Sequence, residues 1–257
     1  MRDLDYDQVI NDIQQWIKHY VADANIDGIV VGISGGIDSA VTSTLCVKAI
    51  GKQNVIGLGL PCLSIPQDLK DAKIVADFLD IEFIVLDLSR VYKEFLKISS
   101  NKLQTNKVAT ANLKARLRMI ALYFVGQSKG RYLIGGTGNR TELAIGYFTK
   151  YGDGGVDFEP IGGLYKSEVR EFARRLGIPE RIIKKAPSAG LWEGQTDEGE
   201  IGMTYDLLDE IIYRIDYDLD LEGLASEDLK KVKAMMRASE HKLKKLPTFK
   251  IKKEYFS

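Results

Sequence analysis

The sequence predicts an α/β protein built on a doubly wound, mostly parallel sheet with helices on both faces. Three observations point there. Short apolar runs rich in β-branched residues show no polar alternation, as strands buried on both faces require. Amphipathic helical stretches alternate with those runs, the pattern of right-handed βαβ units. A glycine-rich turn follows the first run and opens a helix, and the carboxyl ends of strands are where such sheets bind ligands.

The first element is a helix, because Val9, Ile10, Ile13, Trp16, Ile17, Tyr20 and Val21 recur at three- and four-residue steps between polar residues. Its stripe needs a partner, either the body of the chain or a second subunit, and it is taken as the dimer contact. After Gly28 the run 29–33 reads as a buried strand. Residues 38–50 follow as a helix, 54–60 as a strand, and 67–80 as a helix carrying Leu69, Ile74, Val75, Phe78 and Leu79. Residues 82–88 form a strand, 112–126 a long helical stretch, and 131–135 a further strand. Residues 146–163, with six glycines, and 187–202 read as long loops. The stretch 195–228 carries twelve acidic residues and one basic one, and 241–253 is rich in lysine; both read as solvated helix faces. With no internal repeat and no clear linker, the 257 residues read as one domain.

Composition narrows the function. The 36 basic and 36 acidic side chains cancel, so no bulk field favours nucleic acid or an anionic membrane. Cys46 and Cys62 are too few for a disulfide framework and read as small buried hydrophobes. The acidic start MRDLDYDQ is no signal peptide, and no apolar run approaches a membrane span. A cytoplasmic enzyme is expected. Two histidines argue no Ser-His-Asp set, and His19, on the polar side of the first helix, reads as inert.

The sharpest signal is Gly32-Ile33-Ser34-Gly35-Gly36-Ile37-Asp38-Ser39, set between a buried strand and a helix. Its glycines let the backbone turn and present N–H groups to an anion. The helix adds its positive end, and Ser34 and Ser39 add hydroxyl donors. No lysine follows, so this is not a Walker A loop. Instead Asp38 points a carboxylate at the phosphate site. At about 4 Å from a phosphate oxygen that would cost roughly 4 kcal/mol at an effective dielectric of 20. A cation between them resolves the conflict, and Mg²⁺ suits a carboxylate with phosphate oxygens, so Asp38 is predicted to be a magnesium ligand.

The loop resembles the SGGxDS signature of the N-type ATP pyrophosphatases, which cleave ATP between the α and β phosphates to adenylate a substrate. Later segments are similar to NAD synthetases: Asn112-Leu113-Lys114-Ala115-Arg116, GGTGNRTE (135–142), GYFTKYGDGGVDFEPIGGLYKSEVR (146–170), PSAGLWEGQTDEGEIG (187–202) and His241-Lys242. The resemblance covers most of the chain. It implies an adenine nucleotide α-hydrolase-like fold and a homodimer that joins deamido-NAD to ammonia with ATP and Mg²⁺. It implies that Gly32 to Ser39, Thr137, Lys166 and Ser188 contact ATP, that Asp38 and Glu142 hold magnesium, and that Arg116, Lys150, Asp157, His241 and Lys242 bind deamido-NAD. Many relatives read GTDHAAE where this chain has GTGNRTE, which leaves Asn139 and Arg140 without a role, and Thr where this chain has Ser188.

On their own residues these positions stay open. Lys166 opens a helix beside a glycine-rich loop and can reach triphosphate oxygens, or is a surface lysine. Glu142 completes a cation's oxygen shell or simply starts a helix. Arg118, two residues past Arg116, faces another way and reads as a structural ion pair. Lys150, Asp153 and Asp157 sit on a loop whose glycines permit closure, or on an ordinary solvated one; Tyr147 and Phe148 stack on a nicotinate ring or pack. Asp153 or Asp157 is the expected ammonium site and proton acceptor. Free ammonia is the expected donor, because the resemblance uses nearly the whole chain and leaves no room for an amidase domain. Two rivals remain, an RNA-modifying adenylating enzyme and an ATP-binding module without chemistry.

Overall fold

The computed structural model describes residues 2–100, 102–187 and 196–252. From α1 (Tyr6–Asp23) the chain enters β1 (Gly28–Gly32), α2 (Ile37–Ile50), β2 (Val55–Gly59), α3 (Pro66–Leu79) and β3 (Glu82–Val85). Two helices, α4 (Ser89–Ser100) and α5 (Lys107–Lys129), lead to β4 (Tyr132–Gly135). Helices α6 (Arg140–Ile145), α7 (Lys166–Arg175), α8 (Glu180–Ile183), α9 (Asp197–Ile201), α10 (Tyr205–Asp216) and α11 (Ser226–Leu243) complete the order.

The four strands are parallel in the order β3-β2-β1-β4, with Val30 level with Ile56 on one side and Ile134 on the other. Strand β1 is central, and the pleat sends its side chains alternately to two cores. Ile29, Val31 and Val55 pack with Ile10, Ile17, Val41, Leu45 and Phe172 from α1, α2 and α7. Val30, Ile56 and Ile134 pack with Ala121 and Val125 of α5. Both faces are covered, which is why the runs show no polar alternation. Because β2 and β4 flank β1 after crossing in opposite directions, the sheet has its switch point beside the carboxyl end of β1.

A third cluster lies off the sheet. Ile145, Tyr165, Ile201, Tyr205, Leu208, Ile211 and Val232 join α6, α9, α10 and α11. This cluster carries the start of α7 toward the sheet's carboxyl edge.

Several expectations change. The apolar stripe of α1 divides: Ile10, Ile17 and Val21 are buried in the chain's own core, while Trp16 and Tyr20 stay exposed. More exposed large apolar side chains lie on α4 and α5, among them Phe95, Ile98, Ile120 and Phe124. Residues 89–100, assigned no element from sequence, form α4, and the strand expected to reach 88 ends at Val85. The loop expected over 187–202 contains α9, capped by the Thr196 hydroxyl, which accepts from Gly199 N. The acidic stretch is not all solvated face, since Asp197 and Asp209 are buried. Composition counts carboxylates but does not show which ones meet N–H and O–H donors. Among the described residues no helix is long and apolar enough to cross a membrane.

Candidate active site

A cavity of about 800 Å³ opens at the switch point, lined by the loop after β1, the ends of β2 and β4, α5 and the starts of α6 and α7. That size suits a nucleotide-sized ligand. Gly35 sits at φ +77, and a Cβ there would lie 2.6 Å from Asp68 O and 2.8 Å from Ala72 N. Only glycine allows α3 to approach the loop this closely. The turn is braced internally. Ser39 Oγ accepts from Ser34 N at 3.2 Å and donates to Gly36 O at 3.0 Å, while Gly36 N donates to Ser34 Oγ at 3.2 Å. Helix α2 begins at Ile37, so its first N–H groups face the cavity without intrahelical acceptors.

Beyond the loop three charged side chains meet. Lys166 Nζ donates to Asp38 Oδ2 at 2.6 Å and to Glu142 Oε1 at 3.0 Å. Lys166 is 1% exposed, so sequence's other reading, a surface lysine, fails. Burial alone would push its ammonium to release a proton, but Asp38 and Glu142 outweigh burial and hold its pKa above the usual lysine range. Glu142 moves the opposite way from an ordinary ion-paired acid. It borders the cavity yet is walled in by protein, and that burial raises its pKa against the pull of Lys166, with Asp38 adding to the rise.

Asn139 joins the set. Its Oδ1 caps α6 by accepting from Glu142 N at 3.0 Å, and its Nδ2 donates to Asp38 Oδ1 at 2.9 Å. One buried amide thus holds the Asp38 carboxylate and the backbone that carries Glu142. The N-x-x-E spacing of a helix start was the available signal. Arg140, beside it, turns outward and pairs with Asp216. Tyr205 gave no signal in sequence. Its hydroxyl reaches Glu142 Oε1 at 3.2 Å and Asp197 Oδ2 at 3.0 Å, with Lys166 Nζ 4.9 Å over its ring. Asp209 holds the start of α7, accepting from Ser167 N at 2.8 Å and Lys166 N at 3.3 Å.

Asp38 and Glu142 already converge on one cation, and their oxygens are the donors a hard divalent ion prefers. Among the described residues no group of three or more His, Cys, Asp or Glu forms a complete metal shell. Any such ion would need ligand oxygens as well. The cavity lining carries six carboxylates against four cationic side chains, so a polyanion entering it needs added positive charge.

The far end of the cavity holds Thr149, Asn112, Phe148 and Asp153. Asp153 Oδ1 accepts from Thr149 N at 3.0 Å, which ties the glycine-rich turn shut, and Thr149 Oγ1 donates to Asn112 Oδ1 at 2.7 Å. The Asp153 side chain has an exposed surface but is surrounded by protein on its other sides. Burial raises its pKa, opposed by the Thr149 N–H. Asp157 lies outside the lining; its oxygens accept from Tyr123 OH at 2.9 Å and Ile134 N at 2.7 Å. The two aspartates, alike in sequence, separate here.

Thr137 lines the cavity, and Ser188 lies outside the described residues. Arg116, Lys150, His241 and Lys242 form a belt around residues 146–151 rather than lining the cavity. Arg116 Nη2 donates to Lys150 O at 3.3 Å, Lys150 Nζ to His241 O at 2.6 Å, and Lys242 Nζ to Gly146 O and Phe148 O, both at 2.7 Å. Tyr147 and Phe148 line the cavity, the Tyr147 hydroxyl donating to Glu200 Oε2 at 2.6 Å. Cys46 and Cys62 are buried, and burial pushes the Cys46 thiol up to about 12.

Glu159 went unnoticed in sequence. It packs under the turn that carries Thr137, where Oε2 accepts from Gly138 N at 2.9 Å, and a Cβ at Gly136 would lie 2.3 Å from that oxygen. No cation pairs with it among the described residues. Burial, reinforced by Glu142 and Asp153, pushes its pKa up to about 8.

Comparison with known proteins agrees with this arrangement. The family described as NAD synthase matches residues 9–247. The NH(3)-dependent NAD(+) synthetase of Methanosarcina acetivorans is 46% identical over 252 residues, covering 95% of this chain and 98% of that protein. The corresponding protein of Carboxydothermus hydrogenoformans is 48% identical over 246 residues, covering 95% and 97%. Among solved structures, NMN synthetase from Francisella tularensis matches with a TM-score of 0.88 and 35% identity over 97% of this chain and 100% of that one. NH3-dependent NAD synthetase from Campylobacter jejuni matches at 0.82 and 30% over 96% and 100%.

Glu159 makes stability depend on pH. Its folded value of about 8 lies above the ordinary glutamate value of 4.5, so the unfolded chain loses the proton first. Stability contributed by this group is full below about pH 4.5 and is lost as pH rises to about 8. Glu159→Gln removes that loss. Urea unfolding at pH 5 and pH 9 is expected to show the variant gaining on the parent chain at the higher pH; an unchanged difference would refute the assignment.

Proposed function

The chain belongs to the NAD synthase family, and on that premise we infer that it joins ammonia to the nicotinate carboxylate of deamido-NAD, using ATP and forming NAD. The observation that carries this is the coincidence of a match over residues 9–247 with a phosphate-type loop set against Asp38, Lys166 and Glu142. A match of that length also supports reading residues 1–257 as one synthetase domain, acting in the cytoplasm.

In the first step an oxygen of the nicotinate carboxylate attacks the α-phosphorus of ATP. The bond from that phosphorus to the bridging oxygen breaks, and pyrophosphate leaves. An anion approaches a polyanion here, so charge cancellation and alignment are the main requirements. The amides of Gly32 to Ser39 and the hydroxyls of Ser34, Ser39 and Thr137 receive the phosphates, with Ser188 assigned beside them. Lys166 is kept fully protonated by its carboxylate partners and faces the leaving group. Asp38 and Glu142 would hold Mg²⁺, which would supply the further positive charge that a net acidic cavity lacks.

In the second step ammonia attacks the acyl carbon, AMP leaves, and one proton is released. Asp153 is the ammonium site, because it alone of the two loop aspartates borders the cavity. Its raised pKa suits a group that accepts the proton ammonium must lose. Arg116, Lys150, Asp157, His241 and Lys242 form the deamido-NAD side. The first two and the last two act through the belt that shapes residues 146–151, and Asp157 anchors that segment to β4.

A homodimer completes this reading, with a second copy covering the exposed apolar side chains of α4 and α5 rather than α1. Ile98→Asp is expected to shift sedimentation from dimer to monomer; a monomeric parent chain would refute it.

Incubation with deamido-NAD, ATP, Mg²⁺ and ammonium is expected to yield NAD, AMP and pyrophosphate in equal amounts. Nicotinate mononucleotide is run beside it, since one solved relative is named for the mononucleotide product. AMP release without either amide would point to another acceptor, and ATP binding without turnover to a sensor. Asp38→Asn is expected to lower turnover about 100-fold or more and raise the Mg²⁺ requirement, as loss of one charge at a charge-cancelling site does. Asp153→Asn should raise the KM for ammonium about tenfold while leaving pyrophosphate–ATP exchange near normal. An unchanged ammonium KM would remove Asp153 from its role.

A further inference from the structure

Among the described residues, one guanidinium in the cavity wall has no carboxylate partner. Arg118 projects from α5, where Nε donates to Leu60 O at 3.1 Å and Nη2 donates to Ser64 Oγ at 3.0 Å. The sequence suggested an ion pair, but among the described residues no Asp or Glu pairs with it. Asp153 and Asp68 act on it only from a distance. These two hydrogen bonds use two of its five N–H donors. Neither bond uses Nη1, and Arg118 lines the cavity.

The other lysines facing the phosphate loop are already committed. Lys166 lies between Asp38 and Glu142, and Lys185 pairs with Asp68 and Asp71 beside Gly35 O. Leu60 directly follows β2, so the Arg118 fork sits one strand over from the phosphate loop on β1. Asp153 borders the same cavity and acts on the fork more strongly than Asp68 does. The fork therefore shares one cavity with the loop that takes the departing phosphates and with the end where ammonia is read to enter. A phosphate there remains after pyrophosphate has gone.

We propose that Arg118 binds the α-phosphate, holding the adenylyl group first in ATP and then in the acyl-adenylate. The inference rests on reading Gly32 to Ser39 as the ATP phosphate loop. A planar fork with free N–H groups matches two phosphate oxygens, which a lysine ammonium does not. The two bonds to Leu60 and Ser64 orient the fork before the ligand arrives, so little side-chain freedom remains to be lost on binding.

The test is calorimetric binding of AMP and of adenosine to the full chain, with Arg118→Ala and Arg118→Lys beside it. Arg118→Ala is expected to weaken AMP about tenfold or more, as loss of charge-assisted hydrogen bonds does, while adenosine changes less than about twofold. Millimolar guanidinium is expected to restore part of the AMP affinity. Arg118→Lys keeps the charge without the fork and should lie between; it carries the test if the alanine variant does not fold. Equal losses for AMP and adenosine would reduce Arg118 to a brace for residues 60–64 and overturn the proposal, as would no loss at all. A parent chain that prefers AMP but makes no NAD would sink the proposed function while leaving this assignment standing.

Discussion

A single buried ammonium, Lys166, held between Asp38 and Glu142, is the interaction on which the rest of the site depends. The three residues come from α7, α2 and α6, and the lysine is separated from Asp38 by 128 positions. Bringing a lysine into a site where it is almost wholly buried is costly unless its charge is matched and its protons are used. Two carboxylates match it: Asn139 holds that of Asp38 directly and caps the helix whose first turn carries Glu142, whose carboxylate takes the Tyr205 hydroxyl. Take away that geometry and the cavity holds acids facing one another with no reason to accept a phosphate.

The fold exists around that constraint in a specific way. A central β1 between β2 and β4 creates a crevice at its carboxyl end, and the loop after β1 places Asp38 there. The third hydrophobic cluster, from α6 and α9 to α11, is what delivers the start of α7 to the same edge. Asp209 on α10 then accepts the first N–H groups of α7, so the helix start is locked to the cluster that carries it. The packing and the chemistry share elements, which is why buried carboxylates outside the reaction, such as Asp209, matter to it.

Electrostatics divide the cavity into two ends. Near the phosphate loop, cations are paired and charge is nearly closed, so an incoming triphosphate must bring or attract further positive charge. At the far end Asp153 and Phe148 face a region with fewer fixed charges, where burial raises the carboxylate's affinity for a proton. Glu159 lies below the Thr137 turn and adds to the acidic character without touching the cavity, since it is not part of the lining. A polyanion and a cationic nitrogen donor thus meet surroundings of different kinds.

Much was legible in the sequence because it is local. Runs without polar alternation marked strands buried on both faces, and the glycines, serines and Asp38 of one turn marked a phosphate site, since backbone N–H groups and a helix start are set by neighbouring residues. The spacing of Thr137, Glu142 and Lys166 was visible for the same reason. What only the tertiary structure decided is which distant groups meet. Sequence could not separate Asp153 from Asp157, because the difference is that one borders the cavity and the other hydrogen-bonds to β4. It placed Arg118 in an ion pair, where the fold gives it carbonyl and hydroxyl partners, and it left the α1 stripe open between the chain's own core and a second subunit, where the fold buries Ile10, Ile17 and Val21 and leaves Trp16 and Tyr20 exposed. Local pattern fixes a residue's conformation and polarity, but charge pairing and burial depend on contacts between residues from 23 to 128 positions apart, and those exist only once the chain has folded.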